Sequence, residues 1–135
     1  MSERKRNKAR PNIAAILAGG TGRRTGGDLP KQFLPLAGKP VVAHAVEAFE
    51  RNANVDEIVI VSHADWVDRM RSIVEQTGAR KVKAVLAGGA ERCDSSLAAI
   101  RYCGDREVNL LLHDAARPLV TQRIIDEVCA RLADG

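Results

Sequence analysis

Four short apolar runs, separated by helix-forming stretches, constrain this chain most. They are residues 12–17 (NIAAIL), 57–62 (EIVIVS), 81–86 and 109–113 (NLLLH). Bounded by turn-forming residues, they read as strands. Between them, Pro40 opens a stretch in which Val41, Val42, Ala45, Val46 and Phe49 share one helical face. Asp65 is placed to cap a helix over 66–76, with Val67, Met70, Ile73 and Val74 inward and Gly78 as the stop. Asp94 or Ser95 is placed to cap a third helix, carrying Leu97, Ile100 and Arg101 before Gly104. Thr121 is placed to cap a fourth, with Ile124, Ile125, Val128 and Leu132. Strands that alternate with helices and are apolar on both faces predict an α/β fold, a parallel sheet covered by helices on both sides. Ligands of such sheets bind beyond the strand C-termini. Those ends carry residues 18–31, 62–65, 87–95 and 114–118.

Composition narrows the class of function. The chain has 135 residues, of which 45% are hydrophobic, enough for one core. No run approaches the roughly 18 apolar residues of a membrane span. Aromatic residues are only 3%, which argues against a base-stacking nucleic-acid platform. The net charge of +4 resides in the first ten residues, where Arg4, Lys5, Arg6, Lys8 and Arg10 face only Glu3. The rest of the chain is balanced, so no basic face for a nucleic acid is expected. Residues 1–11 read as a disordered basic tail, and 12–135 as the folded domain. The tail lacks the apolar segment of a secretory signal. Cys93, Cys103 and Cys129 are odd in number and have no CxxC spacing, so packing in a reducing cytoplasm is the expectation.

Three segments carry candidate chemistry. The first runs from Leu17 to Phe33 and holds a glycine cluster with Arg23, Arg24 and Lys31. It matches neither GxxxxGK[ST] nor GxGxxG. Its exposed backbone N–H groups and three cations suit a triphosphate, though a solvated glycine-rich loop has the same composition. The second, Gly88 to Ser96, brings two glycines and two hydroxyls to a helix start. That suits an anion or base, and equally plain capping. The third is His113-Asp-Ala-Ala-Arg-Pro118. Asp114 ends a buried strand, where a carboxylate needs a partner: a phosphate-bound Mg²⁺ or Arg117. His113 reads as a hydrogen-bonded core residue, and His44 and His63 have no evident acid–base companion.

Taken together, A-G-G-T-G-x-R with P-K-Q-F, then G-G-x-E-R-x-D-S, then H-D-A-A-R-P resembles the N-terminal part of a cytidylyltransferase family. Its members make 4-diphosphocytidyl-2-C-methyl-D-erythritol or CDP-ribitol. The resemblance runs from Asn12 to the chain end. It implies a Rossmann-like parallel-sheet nucleotidyltransferase fold of the nucleotide-diphospho-sugar transferase type, truncated at the C-terminus. It also implies Mg²⁺-dependent transfer of CMP from CTP to a polyol phosphate. Arg24 and Lys31 match the family's catalytic cations. The backbone around Ala18, Gly19, Gly20 and Gly22 matches its CTP cradle. Gly89, Arg92 and Ser95 match positions near cytosine and ribose, Asp114 the metal carboxylate, and Arg117 a supporting residue. Thr25 stands where the family commonly has Met, and Ala90 where many members are polar. Family members run longer, and their C-terminal part brings acceptor ligands and a dimer-building arm. Ala18-Gly19-Gly20 and Trp66 lean towards the ribitol branch, with the methylerythritol branch left open. Other readings of the same motifs are a CTP-binding module without turnover and a transferase using another nucleotide.

Overall fold

The computed structural model describes residues 10–18, 31–88, 92–115, 117 and 121–134. Four parallel strands form its sheet: β1 (Asn12–Ala18), β4 (Glu57–His63), β5 (Val82–Gly88) and β6 (Asn109–Asp114). The spatial order is β5-β4-β1-β6. A second, two-stranded sheet pairs β2 (Pro35–Leu36) antiparallel to β3 (Lys39–Pro40). The helices are α1 (Val41–Glu50), α2 (Val67–Thr77), α3 (Arg92–Cys103) and α4 (Gln122–Asp134).

The apolar runs explain the layering. Ile13, Ala14, Ala15 and Ile16 of β1 are fully buried, as a central strand covered on both faces requires. Ala14 and Ile16 face a cluster built with Val42, Val46 and Phe49 of α1, Met70 and Ile73 of α2, and Ile125 and Cys129 of α4. Ile13 and Ala15 face the opposite cluster, which holds Ala99 and Cys103 of α3. Three helices therefore cover one face and α3 covers the other. Gly78 ends α2 in the left-handed conformation, φ 73°, where a residue without Cβ is unstrained.

Several sequence expectations give way here. A 3₁₀ turn, Ala64–Trp66, precedes α2, so Asp65 is not its cap. Instead His63 Nδ1 accepts the Asp65 N–H at 3.1 Å. Helix α3 begins at Arg92, which places Asp94 and Ser95 inside its first turn rather than at its cap. Leu97 and Ile100 are about half exposed. Helix α3 meets the sheet through small residues instead, Ser95, Ala99 and Cys103. Ile124 and Val128 are likewise exposed on α4, where Ile125 and Cys129 face the core. Thr121 does cap α4, its Oγ1 accepting the Ile124 N–H at 3.2 Å. The β2–β3 hairpin turns through Ala37 (φ 52°) and Gly38 (φ 86°).

Candidate nucleotide site

The chain runs from β1 outward through β4 to β5, then returns past β1 to β6. The sheet therefore reverses its order between β1 and β6, and ligands of such sheets bind at that reversal, beyond the C-terminal ends of the strands. Ala18 closes β1, and Asp114 closes β6 opposite Leu17. Gly88 closes β5, two strands away, at about 10 Å by ordinary strand spacing. The three candidate segments thus converge on one end of the sheet.

Ser95 stands out at this end. It is 1% exposed, and among the described residues its Oγ is the buried side-chain oxygen or nitrogen with no hydrogen-bond partner. Leaving a buried hydroxyl unpaired costs about 1–3 kcal/mol, so such a group calls for an explanation, and a bound ligand or water is one. The backbone around it is built for close approach. A Cβ added at Gly88 would lie 2.8 Å from Ser95 Oγ and 2.8 Å from Val61 Cγ1. Glycine at this strand end lets α3 seat its first turn directly on the sheet.

The β6 end is held by its own loop. His113 Nε2 donates to the Arg117 carbonyl at 2.7 Å, which fixes the ring proton on that nitrogen. The imidazole meets the Phe49 ring edge-on at 5.3 Å. Burial lowers its pKa below the ordinary 6.5, with the Arg117 backbone acting the other way. Arg117 N–H donates to the Asp114 carbonyl at 3.0 Å, and Ala115 N–H to Leu17 at 2.9 Å. Arg117 supports the turn through its backbone, with its side chain exposed. Asp114 is half-buried at the strand end. Among the described residues no three His, Cys, Asp or Glu side chains group as a metal cage.

The first segment is described at its two ends. Ala18 is 3% exposed. Lys31 opens a 3₁₀ turn, Lys31–Phe33. Gly19, Gly20, Gly22, Arg24 and Gly89 lie outside the described residues. Arg92 opens α3. Sequence reading passed over Gln32, which is 6% exposed and whose Nε2 donates to the Ala18 carbonyl at 3.0 Å. The available signal was an uncharged polar residue between Lys31 and Phe33, in a string read for its cation. A separate groove of about 460 Å³ lies between α2 and the first half of β5, lined by Arg71, Val74, Glu75 and Lys83 among others. It lies away from the strand C-termini. Among the described residues no helix is long and apolar enough to cross a membrane.

Comparison with known proteins shows the family and the fold. The family described as 2-C-methyl-D-erythritol 4-phosphate cytidylyltransferase matches residues 13–135. A bifunctional ribulose 5-phosphate reductase/CDP-ribitol pyrophosphorylase of Haemophilus influenzae is 43% identical over 123 residues, 90% of this chain and 26% of that protein. A ribitol-5-phosphate cytidylyltransferase of Lacticaseibacillus paracasei is 34% identical, over 87% of this chain and 52% of that protein. A 2-C-methyl-D-erythritol 4-phosphate cytidylyltransferase of Lachnospira eligens is 36% identical, over 85% and 50%. This chain thus spans about half the length of the last two relatives and about a quarter of the first. In fold it is similar to the crystal structure of 4-diphosphocytidyl-2C-methyl-D-erythritol synthase from Anaerococcus prevotii, with a TM-score of 0.75 at 20% identity over 93% of this chain and 52% of that one.

Proposed function

We propose, because the chain belongs to the 2-C-methyl-D-erythritol 4-phosphate cytidylyltransferase family, that it binds CTP beyond the C-terminal ends of β1, β5 and β6 and transfers CMP to a polyol phosphate. One observation carries the reading: the unpartnered, buried Ser95 hydroxyl, over a Gly88 whose place a Cβ could not fill. In this reading the base and ribose lie at the β5–α3 end. Ser95, with Gly89 and Arg92, supplies the polar contacts. A site whose buried hydroxyl expects a hydrogen bond rejects a base that cannot make it. The phosphates lie over the β1 end, against the backbone of Ala18, Gly19, Gly20 and Gly22.

The reaction this supports is an in-line displacement. A phosphate oxygen of the acceptor forms a bond to the α-phosphorus of CTP. The bond from that phosphorus to the oxygen bridging the β-phosphate breaks, and pyrophosphate leaves. The protein positions two anions and stabilises the charge of the pentavalent arrangement. Arg24 and Lys31 carry that role. Asp114, a half-buried carboxylate at the end of β6, is the residue that would hold Mg²⁺. Mg²⁺ takes one or two carboxylates together with substrate phosphates and water. When bound, the ion would neutralise phosphate charge.

For the acceptor, we favour ribitol 5-phosphate over 2-C-methyl-D-erythritol 4-phosphate, on Ala18-Gly19-Gly20 and Trp66. A second reading, for these 135 residues tested alone, is a CTP-binding module without turnover, since they span about half of such relatives. Calorimetric titration with CTP, UTP and GTP, with and without Mg²⁺, tests the nucleotide assignment. Selective CTP binding strengthened by Mg²⁺ is expected, and equal or better binding of UTP or GTP would sink it. Pyrophosphate release with each polyol phosphate then separates transferase from binding module.

A further inference from the structure

We infer that Gln32 is a positioning residue, whose buried amide fixes the backbone of Lys31 against the end of β1. The inference rests on the role given to Lys31 above. The turn Lys31–Phe33 has three anchors, each of a different kind. Gln32 Nε2 donates to the Ala18 carbonyl at 3.0 Å, a bond that spans 14 residues and joins the turn to the strand that begins the site. Phe33, 3% exposed, stacks at a tilt against Trp66 with centroids 5.4 Å apart, under the Arg69 guanidinium at 5.6 Å. The Leu34 carbonyl accepts the Val41 N–H of α1 at 2.9 Å.

The latter two anchors hold the turn to the core and to the start of α1. The Gln32 bond adds a directional tie from the turn to Ala18, which shares the buried cluster of Phe33. It is a donor aimed at one carbonyl from a buried side chain, so its geometry is specific. A catalytic cation must be placed to within fractions of an ångström, and its loss of register falls on the transition state more than on ground-state binding. Gln32 is therefore separable from a residue that merely stabilises the fold.

The test uses Gln32→Ala and Gln32→Glu beside the wild-type chain, with the folded fraction followed by circular dichroism. Gln32→Ala is expected to lower kcat for pyrophosphate release about 10–100-fold per folded molecule, with KM for CTP little changed. Gln32→Glu is the sharper variant. Its carboxylate cannot donate to the Ala18 carbonyl, but its protonated acid can. Turnover should be lost at pH 8 and recover towards wild type as pH falls through the raised pKa of that acid. A wild-type chain that binds CTP without turning it over removes the catalytic role of Lys31 in this chain, and the inference with it. Turnover of both variants that follows only the folded fraction overturns the positioning role and leaves the proposed function standing. A folded wild-type chain that neither binds nor turns over CTP removes the proposed function, and this inference with it.

Discussion

The two ends of the sheet are built on opposite terms. At the N-terminal ends of the strands, buried polar groups are tied off among themselves. Asn12 Nδ2 donates to the Asn54 carbonyl at 2.8 Å, and its Oδ1 accepts from Asn109 at 2.9 Å. Asn52, 3% exposed, donates to Gln122 at 2.8 Å and Asp126 at 2.9 Å, and accepts the Asn54 N–H at 2.8 Å. The Glu50 carboxylate takes the N–H groups of Arg80 and Lys81, both at 3.0 Å. Glu57 accepts from Tyr102, with Arg106 at 3.5 Å. At the C-terminal ends stands Ser95, buried and unpartnered. The first end uses polar groups to join elements of the fold. The second holds one back, as a site awaiting a ligand does.

If that contrast is correct, substitutions at the two ends should divide cleanly between function and stability. The largest effect is expected of Lys31→Ala, which should cut pyrophosphate release by about 10²–10³-fold while the melting temperature stays near wild type; a wild-type rate in a steady-state assay would break the assignment. At the other end, Asn52→Ala should cost about 2 kcal/mol in urea denaturation, because it removes three part-buried hydrogen bonds of a buried amide. CTP affinity per folded molecule should not change, and a parallel loss of affinity would erase the contrast. Gly88→Ala should cost about 1–3 kcal/mol and weaken CTP binding as well, since its Cβ would displace α3.

Ser95→Ala gives the finest division of the substitutions. It removes an unsatisfied hydroxyl, so the free protein should be unchanged or up to about 1 kcal/mol more stable, while the CTP Kd rises roughly tenfold. Calorimetry and thermal melts on one sample decide it, and a destabilised variant with normal affinity would return Ser95 to a purely structural role. The smallest effect belongs to His113, a polar group at this same end that is partnered. Its folded pKa lies below the ordinary 6.5 because of burial. Its stabilising contribution is therefore full above about 6.5, and declines as pH falls through that value towards the folded pKa. His113→Gln should flatten the wild-type stability profile over that interval; two parallel profiles would exclude the residue as its source.

How far the sequence reveals these ends depends on the range of the pattern. Strands β1 and β4 were legible because burial on both faces demands unbroken apolar runs, and the doubly covered sheet followed from them. The β2–β3 hairpin was not. Its strands are two residues each, and Pro35 and Pro40 remove donors that a strand ordinarily shows. Leu97 and Ile100 misled because apolar size was read as burial, whereas the close approach of α3 selects Ser95, Ala99 and Cys103. At the site, Ser95 and Asp114 were legible as members of motifs at strand ends. Gln32 was not, since its partner is 14 residues away and no local periodicity marks the pairing.

The central position of β1 has a consequence in time. Asn12 is bonded to Asn109 across 97 residues, and β1 lies between β4 and β6. On the ribosome the innermost strand is therefore made first and completed last. From its emergence until β6 follows, one whole edge of the most apolar segment waits without its neighbour. Long-range pairing of this kind slows folding and leaves an edge open to other chains. The strand order that brings β1 beside β6 also lengthens the interval in which a nascent chain depends on protection from its surroundings.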